Sequence, residues 1–228
     1  MKQIGLVILG WVLGLLSNPI TEWIRRRRLK KSLAAAFGAE VLDVKYRSVM
    51  AYAYLLSFTG GGRSEIKWTI DKLSAGTREE YRGVHASFSQ LVTRSDQEIA
   101  DVMLTRRMQT QNKGVSLRRL DLPFLGAQLH QLDILDVRIQ EQLLQLRTEV
   151  QIYNEIIEEV QRLNAMTFET AITGGNREIV IENISKAEIG AAQRLRIIGD
   201  RCEELLPRLK NLQELFPRLK NFFTPRDR

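Results

Sequence analysis

Residues 132–160 read LDILDVRIQEQLLQLRTEVQIYNEIIEEV, and apolar side chains recur along this stretch at alternating spacings of three and four residues. Such a heptad pattern is typical of a long helix that buries one face. Asp121 precedes it as an N-cap candidate, and Pro123 fits the first helical turn, where a missing N–H is tolerated. The sequence therefore predicts one uninterrupted helix from Asp121 to about Thr170.

Asp136 is the polar residue that interrupts this heptad pattern. A carboxylate at this position fits two interpretations. In the first, Asp136 is buried and paired, and it lines the axis of an oligomer. In the second, Leu135 takes over the apolar stripe at this point, and the pattern favours this second interpretation.

Apolar periodicity elsewhere predicts further helices. Residues 33–58 form one helical face, and the three glycines at 60–62 end it, since glycine supplies the left-handed cap. The spacing resumes over 66–91. The stretches 77–80 and 95–98 both match the capping box, so this second element is expected as two or three shorter helices.

A final long helix is predicted over 180–205, between the glycines 174–175 and Pro207. With the earlier elements it completes two antiparallel helical hairpins. The expected fold is all-α, with a cytoplasmic antiparallel four-helix bundle of long helices over residues 32–206.

The N-terminal segment has the pattern of a membrane anchor. Residues 4–16 are an apolar run, a less apolar extension reaches Ile24, and residues 25–31 follow as RRRRLKK. The run alone would rise about 20 Å, short of a hydrocarbon core of roughly 30 Å, whereas a helix that continues to Ile24 reaches that thickness. We interpret residues 1–24 as a transmembrane anchor. The alternatives are an interfacial or re-entrant helix and a cleaved signal peptide, which the position of the charges disfavours.

The basic residues after the anchor predict its orientation. Positive charge concentrates on the cytoplasmic side of membrane helices, so the N-terminus is expected outside and the bulk of the chain in the cytoplasm, at the plasma (inner) membrane. Gly10, Gly14, Ser17 and Asn18 form a small-residue face that allows helices to approach closely in lipid. This face predicts a homo-oligomer; the alternative is the ordinary glycine content of membrane helices.

The net charge of +7 is divided unevenly along the chain. Residues 1–31, 102–119 and 207–228 carry +6, +5 and +4, and the segments between them are near neutral or acidic. Nucleic acid is therefore not an expected partner. The predicted topology brings the three basic segments to one end, where they form a collar beside an anionic lipid bilayer. The residues expected at this lipid surface are Arg25, Arg26, Arg27, Arg28, Lys30, Lys31, Lys113, Arg118, Arg119, Arg208, Lys210, Arg218 and Lys220.

The C-terminal tail, residues 207–228, interleaves leucine and phenylalanine with basic residues. It shares with the end of the last helix a short repeat, residues 206–212 and 216–222. This composition is typical of a basic amphipathic segment that contacts a lipid surface. The alternative is two short helical turns that pack on the base of the bundle.

Signals for catalysis are sparse in this sequence. Cys202, the single cysteine, occupies an apolar helical position and is expected to be a buried core thiol. Two histidines and one cysteine provide no zinc or di-iron ligand set, so no metal and no cofactor are predicted.

One pair of residues matches a catalytic motif. Arg78 and His85 are separated by six residues. This spacing resembles the Arg-x(4–6)-His motif of the HEPN ribonucleases, which are themselves helical bundles. The resemblance implies that Arg78 and His85 form an RNA-cleaving pair, brought together with a second copy across a dimer.

The leading hypothesis is a non-enzymatic, single-pass membrane protein. An anchor (1–24), a basic juxtamembrane segment (25–31), a helical bundle (32–206) and a basic amphipathic tail (207–228) would act by self-assembly or by binding an unidentified protein partner. A membrane-perturbing or pore-forming effector is its most specific form. The alternative is a membrane-anchored, HEPN-like ribonuclease that uses the arginine and histidine pair.

Overall fold

The computed structural model describes residues 2–74, 79–110, 117–168 and 174–214, and the regular elements in these ranges are all helical. The prediction of an all-α fold is confirmed. The elements are α1 (Lys2–Thr59), α2 (Arg63–Ser74), α3 (Glu79–Val92), α4 (Asp96–Thr110), α5 (Pro123–Ala127), a 3₁₀ turn (Leu129–Ile134), α6 (Val137–Met166) and α7 (Gly174–Glu214).

The first helix, α1, is continuous over 58 residues. It runs from the predicted anchor through the basic segment into the bundle, with Pro19 inside it and no break at the boundaries expected after residues 24 and 31. Gly60 ends the helix as predicted. Its φ is +79°, and its N–H donates to the Leu56 carbonyl oxygen at 3.0 Å. Glycine adopts this left-handed conformation without strain.

Three long helices, α1, α6 and α7, enclose the main core. The α7 helix runs antiparallel to α1, because Gln213 contacts the Ala34 carbonyl oxygen near the base while Glu203 contacts Lys45 further up. It runs antiparallel to α6 as well. The fully buried core side chains include Leu143, Leu146, Ile157, Leu195, Ile198 and Leu205, all within the stretches predicted as long helices.

The second element consists of three short helices, α2, α3 and α4, which agrees with the two or three shorter helices expected there. The antiparallel four-helix bundle of long helices is not confirmed. The start of α4 follows the predicted capping box. The Ser95 N–H donates to Glu98 Oε2 at 2.8 Å, and the Glu98 N–H donates to Ser95 Oγ at 3.3 Å. The Arg63 guanidinium also closes this turn by donating to Asp96 and to two carbonyl oxygens around the end of α3. The predicted box at 77–80 includes residues outside the described ranges.

The long helix predicted from Asp121 is wrong in its first part. Residues 123–134 form α5 and the 3₁₀ turn, and α6 begins only after them. Asp121 is not the N-cap of α5. Instead, the Glu40 carboxylate of α1 accepts the N–H groups of Phe124 and Leu125 at 2.6 and 2.9 Å. A cap supplied from another helix gives no local sequence signal.

Asp136 lies at the start of α6 rather than inside a helix. Its backbone is extended, with φ −66° and ψ 142°, and its side chain is exposed. Its carboxylate accepts a hydrogen bond from Lys30 Nζ at 3.0 Å. Leu135 beside it is 4% exposed and belongs to the core. Asp136 is therefore not buried, and Leu135 supplies the core contact, although neither residue lies within a continuous helical stripe.

Candidate functional site

The base of α1 extends beyond the packed bundle. Burial of its side chains begins at Leu33 and Ala34, which are 4% and 0% exposed, whereas Trp11, Ile20 and Trp23 are 70%, 52% and 57% exposed. This stretch therefore presents apolar surface that the described part of the bundle does not cover. Among the described residues, no helix is long and apolar enough to cross a membrane.

The predicted helix-packing face lies on this projecting part of α1. Gly10, Gly14 and Asn18 follow one another at intervals of four residues, which places their backbones along one side of the helix, and Ser17 borders that side. Among the described residues, and apart from the adjacent residues and backbone of α1 itself, a Cβ atom placed at Gly14 would meet no heavy atom within 4 Å. The described structure therefore leaves room at Gly14 for a second helix, and self-association stays a prediction.

The first basic residues after the predicted anchor make contacts within one turn of α1. Arg25 and Arg26 both approach the Glu22 carboxylate, at 3.4 and 3.0 Å. The Arg27 guanidinium lies over the Trp23 ring, 4.7 Å from the ring centroid. A single acidic residue thus partly neutralises two of the four consecutive arginines, and an aromatic ring orients a third.

The remaining basic residues of segment 25–31 differ in their contacts. Lys30 Nζ contacts Asp136 at 3.0 Å and so joins α1 to the start of α6. Arg28 and Lys31 are exposed. Lys30 therefore faces the bundle, whereas Arg28 and Lys31, like Arg25 and Arg26, are exposed to solvent.

The C-terminal part of α7 ends close to this basic segment. Gln213 Nε2 donates to a backbone carbonyl oxygen of α1 at 3.2 Å, one turn after the basic segment ends. Arg208 and Lys210 are exposed on the preceding turns of α7. Arg218 and Lys220 lie outside the described residues. The structure thus brings two of the predicted basic segments to the same end of the molecule.

Arg118 and Arg119, at the described end of the third basic segment, lie elsewhere, so the predicted collar is wrong for these two residues. Arg47 Nη2 donates to the Arg119 carbonyl oxygen at 3.2 Å. Because α1 rises about 28 Å between Arg28 and Arg47, Arg118 and Arg119 lie midway along the bundle and not at its base. Lys113 lies outside the described residues.

Asn154 on α6 accounts for this position of Arg118 and Arg119. Its Oδ1 accepts the Leu120 N–H at 2.9 Å, and its Nδ2 donates to the Leu120 carbonyl oxygen at 2.7 Å. The Tyr153 hydroxyl donates to the Arg118 carbonyl oxygen at 3.0 Å. Since Leu120 is itself 3% exposed, residues 117–120 are fixed against the middle of α6.

A charged cluster between α1, α2 and α7 was not identified from the sequence. Lys45 is 3% exposed and contacts Glu203 at 3.3 Å. Lys72 contacts the same Glu203 carboxylate and also Asp200, at 2.9 Å. Trp68 Nε1 donates to Asp200 Oδ1 at 2.9 Å. In the sequence, Lys45 lies beside the apolar stripe of α1. A surface lysine also suits such a position, so the sequence did not indicate that Lys45 is buried.

The ionisation of this cluster follows from its contacts. Burial by itself raises the pKa of the Glu203 carboxyl, but hydrogen bonds and charges from Lys72 and Lys45 outweigh burial and hold the pKa below its ordinary value. Burial lowers the pKa of Lys72, and the bonds to Glu203 and Asp200 more than reverse this effect. Glu203 and Lys72 therefore stay ionised at neutral pH, and their ion pair ties α2 to α7. Cys202 nearby is 0% exposed, as predicted, and burial raises the pKa of its thiol.

Neither the described geometry nor similarity to known proteins assigns an activity. Arg78 lies outside the described residues, and His85 is half-buried in α3, so the predicted RNA-cleaving pair is not tested. Within the described ranges, no group of three or more His, Cys, Asp or Glu residues is placed to hold a metal ion. No family model, curated protein or solved structure matches the chain.

Proposed function

We propose that this protein is a membrane-anchored helical protein whose α1 inserts its N-terminal part into the bilayer and holds the bundle at the cytoplasmic surface. The continuity of α1 from Lys2 to Thr59 carries this proposal. The same helix includes the apolar segment and, from Leu33 onward, core positions where α1 packs mainly against α7. A tilt or rotation of the anchor is therefore transmitted directly to the bundle.

Two further observations support a lipid environment for residues 4–24. Trp11 and Ile20 are largely exposed, although burying a large apolar side chain is worth roughly 1.5–3 kcal/mol. Trp23 lies at the boundary between the apolar segment and the basic segment 25–31, and tryptophan is enriched at membrane interfaces. The basic segment favours the orientation with the bundle in the cytoplasm.

The function follows from assembly at the membrane. Self-association through Gly10, Gly14, Ser17 and Asn18 would bring the bases of several bundles together, and the bundle surfaces would then bind each other or a protein partner. In the most specific form of this proposal, the assembled anchors perturb the membrane as an effector or pore. No substrate is needed for any of these steps.

Two aspartates in the anchor test the proposal. We expect wild-type protein to stay in the membrane pellet after alkaline carbonate extraction. A Leu9→Asp, Leu13→Asp variant should move mostly into the supernatant, because each aspartate near a helix centre costs about 2.5–3.5 kcal/mol of insertion free energy. Quantitative immunoblotting of the two fractions measures the effect.

The matched control is Ile179→Asp, Ile181→Asp, which makes the same chemical change at two exposed positions of α7. This variant should stay in the pellet with the wild-type protein. Extraction of the wild-type protein itself, or equal retention of the anchor variant, would refute the membrane anchor.

A further inference from the structure

A groove separates the base of α1 from the end of the 3₁₀ turn. Its volume is about 550 Å³, within the range of roughly 300–1,000 Å³ found for ligand-binding clefts. One wall is the α1 surface from Glu22 to Lys30, and the other is formed by Asp133 and Ile134. The groove lies beside Trp23, at the level where the proposed anchor leaves the bilayer.

The groove combines basic and apolar groups. Arg25, Arg26, Arg27 and Lys30 line it together with two carboxylates, those of Glu22 and Asp133, so that the lining is positively charged overall. Trp23, Leu29 and Ile134 supply its apolar surface. A ligand that suits this lining carries a compact negative charge at one end and an apolar chain at the other.

Two of the cations retain hydrogen-bonding capacity toward such a ligand. Within the described contacts, Arg26 uses Nε toward Glu22, and its guanidinium has four further N–H donors. Lys30 Nζ makes one hydrogen bond, to Asp136, and an ammonium has three donors. A phosphate oxygen between these side chains would receive charge-assisted hydrogen bonds from both.

We propose that this groove binds the phosphate of one anionic phospholipid. Arg26 and Lys30 are the phosphate ligands, and Trp23 and Ile134 lie against the glycerol and the first part of the acyl chains. The proposal rests on the membrane anchoring proposed above and adds a discrete lipid site to it. It also distinguishes residues within the basic segment, because Arg28 and Lys31 do not line the groove.

Lipid titration of the purified full-length chain in detergent, followed by native mass spectrometry, tests the site. We expect phosphatidylglycerol to bind more tightly than phosphatidylcholine. An Arg26→Gln, Lys30→Gln variant should weaken phosphatidylglycerol binding about tenfold or more, because each basic residue near an anionic lipid surface contributes about 1 kcal/mol of binding free energy. The matched variant Arg28→Gln, Lys31→Gln removes the same charge outside the groove and should change binding less than about threefold.

A third variant tests the same site by an expected gain in binding rather than by the loss of a contact. Asp133→Asn takes one negative charge out of the groove and should strengthen phosphatidylglycerol binding about threefold. Equal losses in the two arginine–lysine variants, or no gain with Asp133→Asn, would overturn the site. Binding of inorganic phosphate as tight as that of phosphatidylglycerol would overturn the lipid assignment. Because the protein is solubilised in detergent, this result is independent of the carbonate extraction that tests the anchor.

Discussion

A Glu203→Leu substitution is expected to destabilise the bundle strongly. Lys45 is 3% exposed, and Glu203 is its ion-pair partner among the described residues, so the variant leaves a buried ammonium without a counter-charge. Breaking a buried pair in this way costs about 3–5 kcal/mol. In a protein of this length that loss lowers Tm by about 6–20 °C, which differential scanning fluorimetry of the detergent-solubilised protein measures.

Two other variants define the origin of this effect. Glu204→Leu makes the same change at an exposed neighbouring position and should shift the stability by about 0.5 kcal/mol or less. Lys45→Met removes the buried charge and leaves Glu203 paired with Lys72, so its effect should be small. A Tm of Glu203→Leu equal to that of Glu204→Leu would show that Lys45 does not depend on this carboxylate.

The difference between wild-type protein and Glu203→Leu should depend on pH. The pKa of Glu203 is lowered by folding, so its stabilisation is fully present above the ordinary value of 4.5 and is lost as pH falls through the lowered pKa. The pKa of Lys72 is raised, so its contribution is present below 10.5 and is lost as pH rises through the raised pKa. The Tm difference should therefore be largest near neutral pH and shrink in acid.

An Asn154→Leu substitution is expected to have the second largest effect. The side chain satisfies both the N–H and the carbonyl oxygen of Leu120, which is 3% exposed. Leucine has a similar size but cannot form either bond, and each unsatisfied buried backbone group costs about 1–3 kcal/mol. Two such groups cost about 2–6 kcal/mol together, and burial of the leucine side chain offsets part of this cost. We therefore expect a net loss of about 2–4 kcal/mol and a Tm lower by about 4–16 °C.

Hydrogen exchange provides a local measurement for this second prediction. In the wild-type protein the Leu120 amide should exchange slowly, and in Asn154→Leu it should exchange much faster than amides in the middle of α6. The control Gln161→Leu, at an exposed position of the same helix, should alter neither Tm nor the exchange of residues 117–120. Unchanged protection of Leu120 in Asn154→Leu would contradict the role assigned to the asparagine.

Features encoded by neighbouring residues were predictable from the sequence. The glycine that ends α1, the Ser95 and Glu98 capping box and the heptad of α6 all depend on contacts within a few residues. Their geometry follows from backbone conformation and helical spacing. These features define the long helices and most of the buried core positions on them.

Features that depend on contacts distant in sequence were missed. Glu40 caps α5 from another helix, 84 residues away, and Asn154 holds Leu120 from 34 residues away. The first contact replaces the expected N-cap, and the second moves Arg118 and Arg119 away from the base. Because the partners share no local motif, periodicity and charge could not reveal them.

In the candidate site, too, the local features were predictable and the contacts distant in sequence were not. The sequence identified the basic segment 25–31 correctly as a local charge cluster, but the counter-charges depend on the fold. Asp136 comes to Lys30 only because α6 begins beside α1, and Asp133 comes to the groove in the same way. Lys45 and Glu203 are 158 residues apart in the sequence, so their pairing could likewise be found only from the structure.

The central claim is that α1 crosses the membrane as one helix with the bundle in the cytoplasm. Single-cysteine labelling tests this claim most directly. In a Cys202→Ala background, Gln3→Cys and Ser32→Cys place a thiol on each side of the proposed anchor, and a membrane-impermeant maleimide is added to sealed right-side-out vesicles. We expect Gln3→Cys to be labelled in sealed vesicles and Ser32→Cys only after permeabilisation. Labelling of both positions from the same side would contradict a spanning α1.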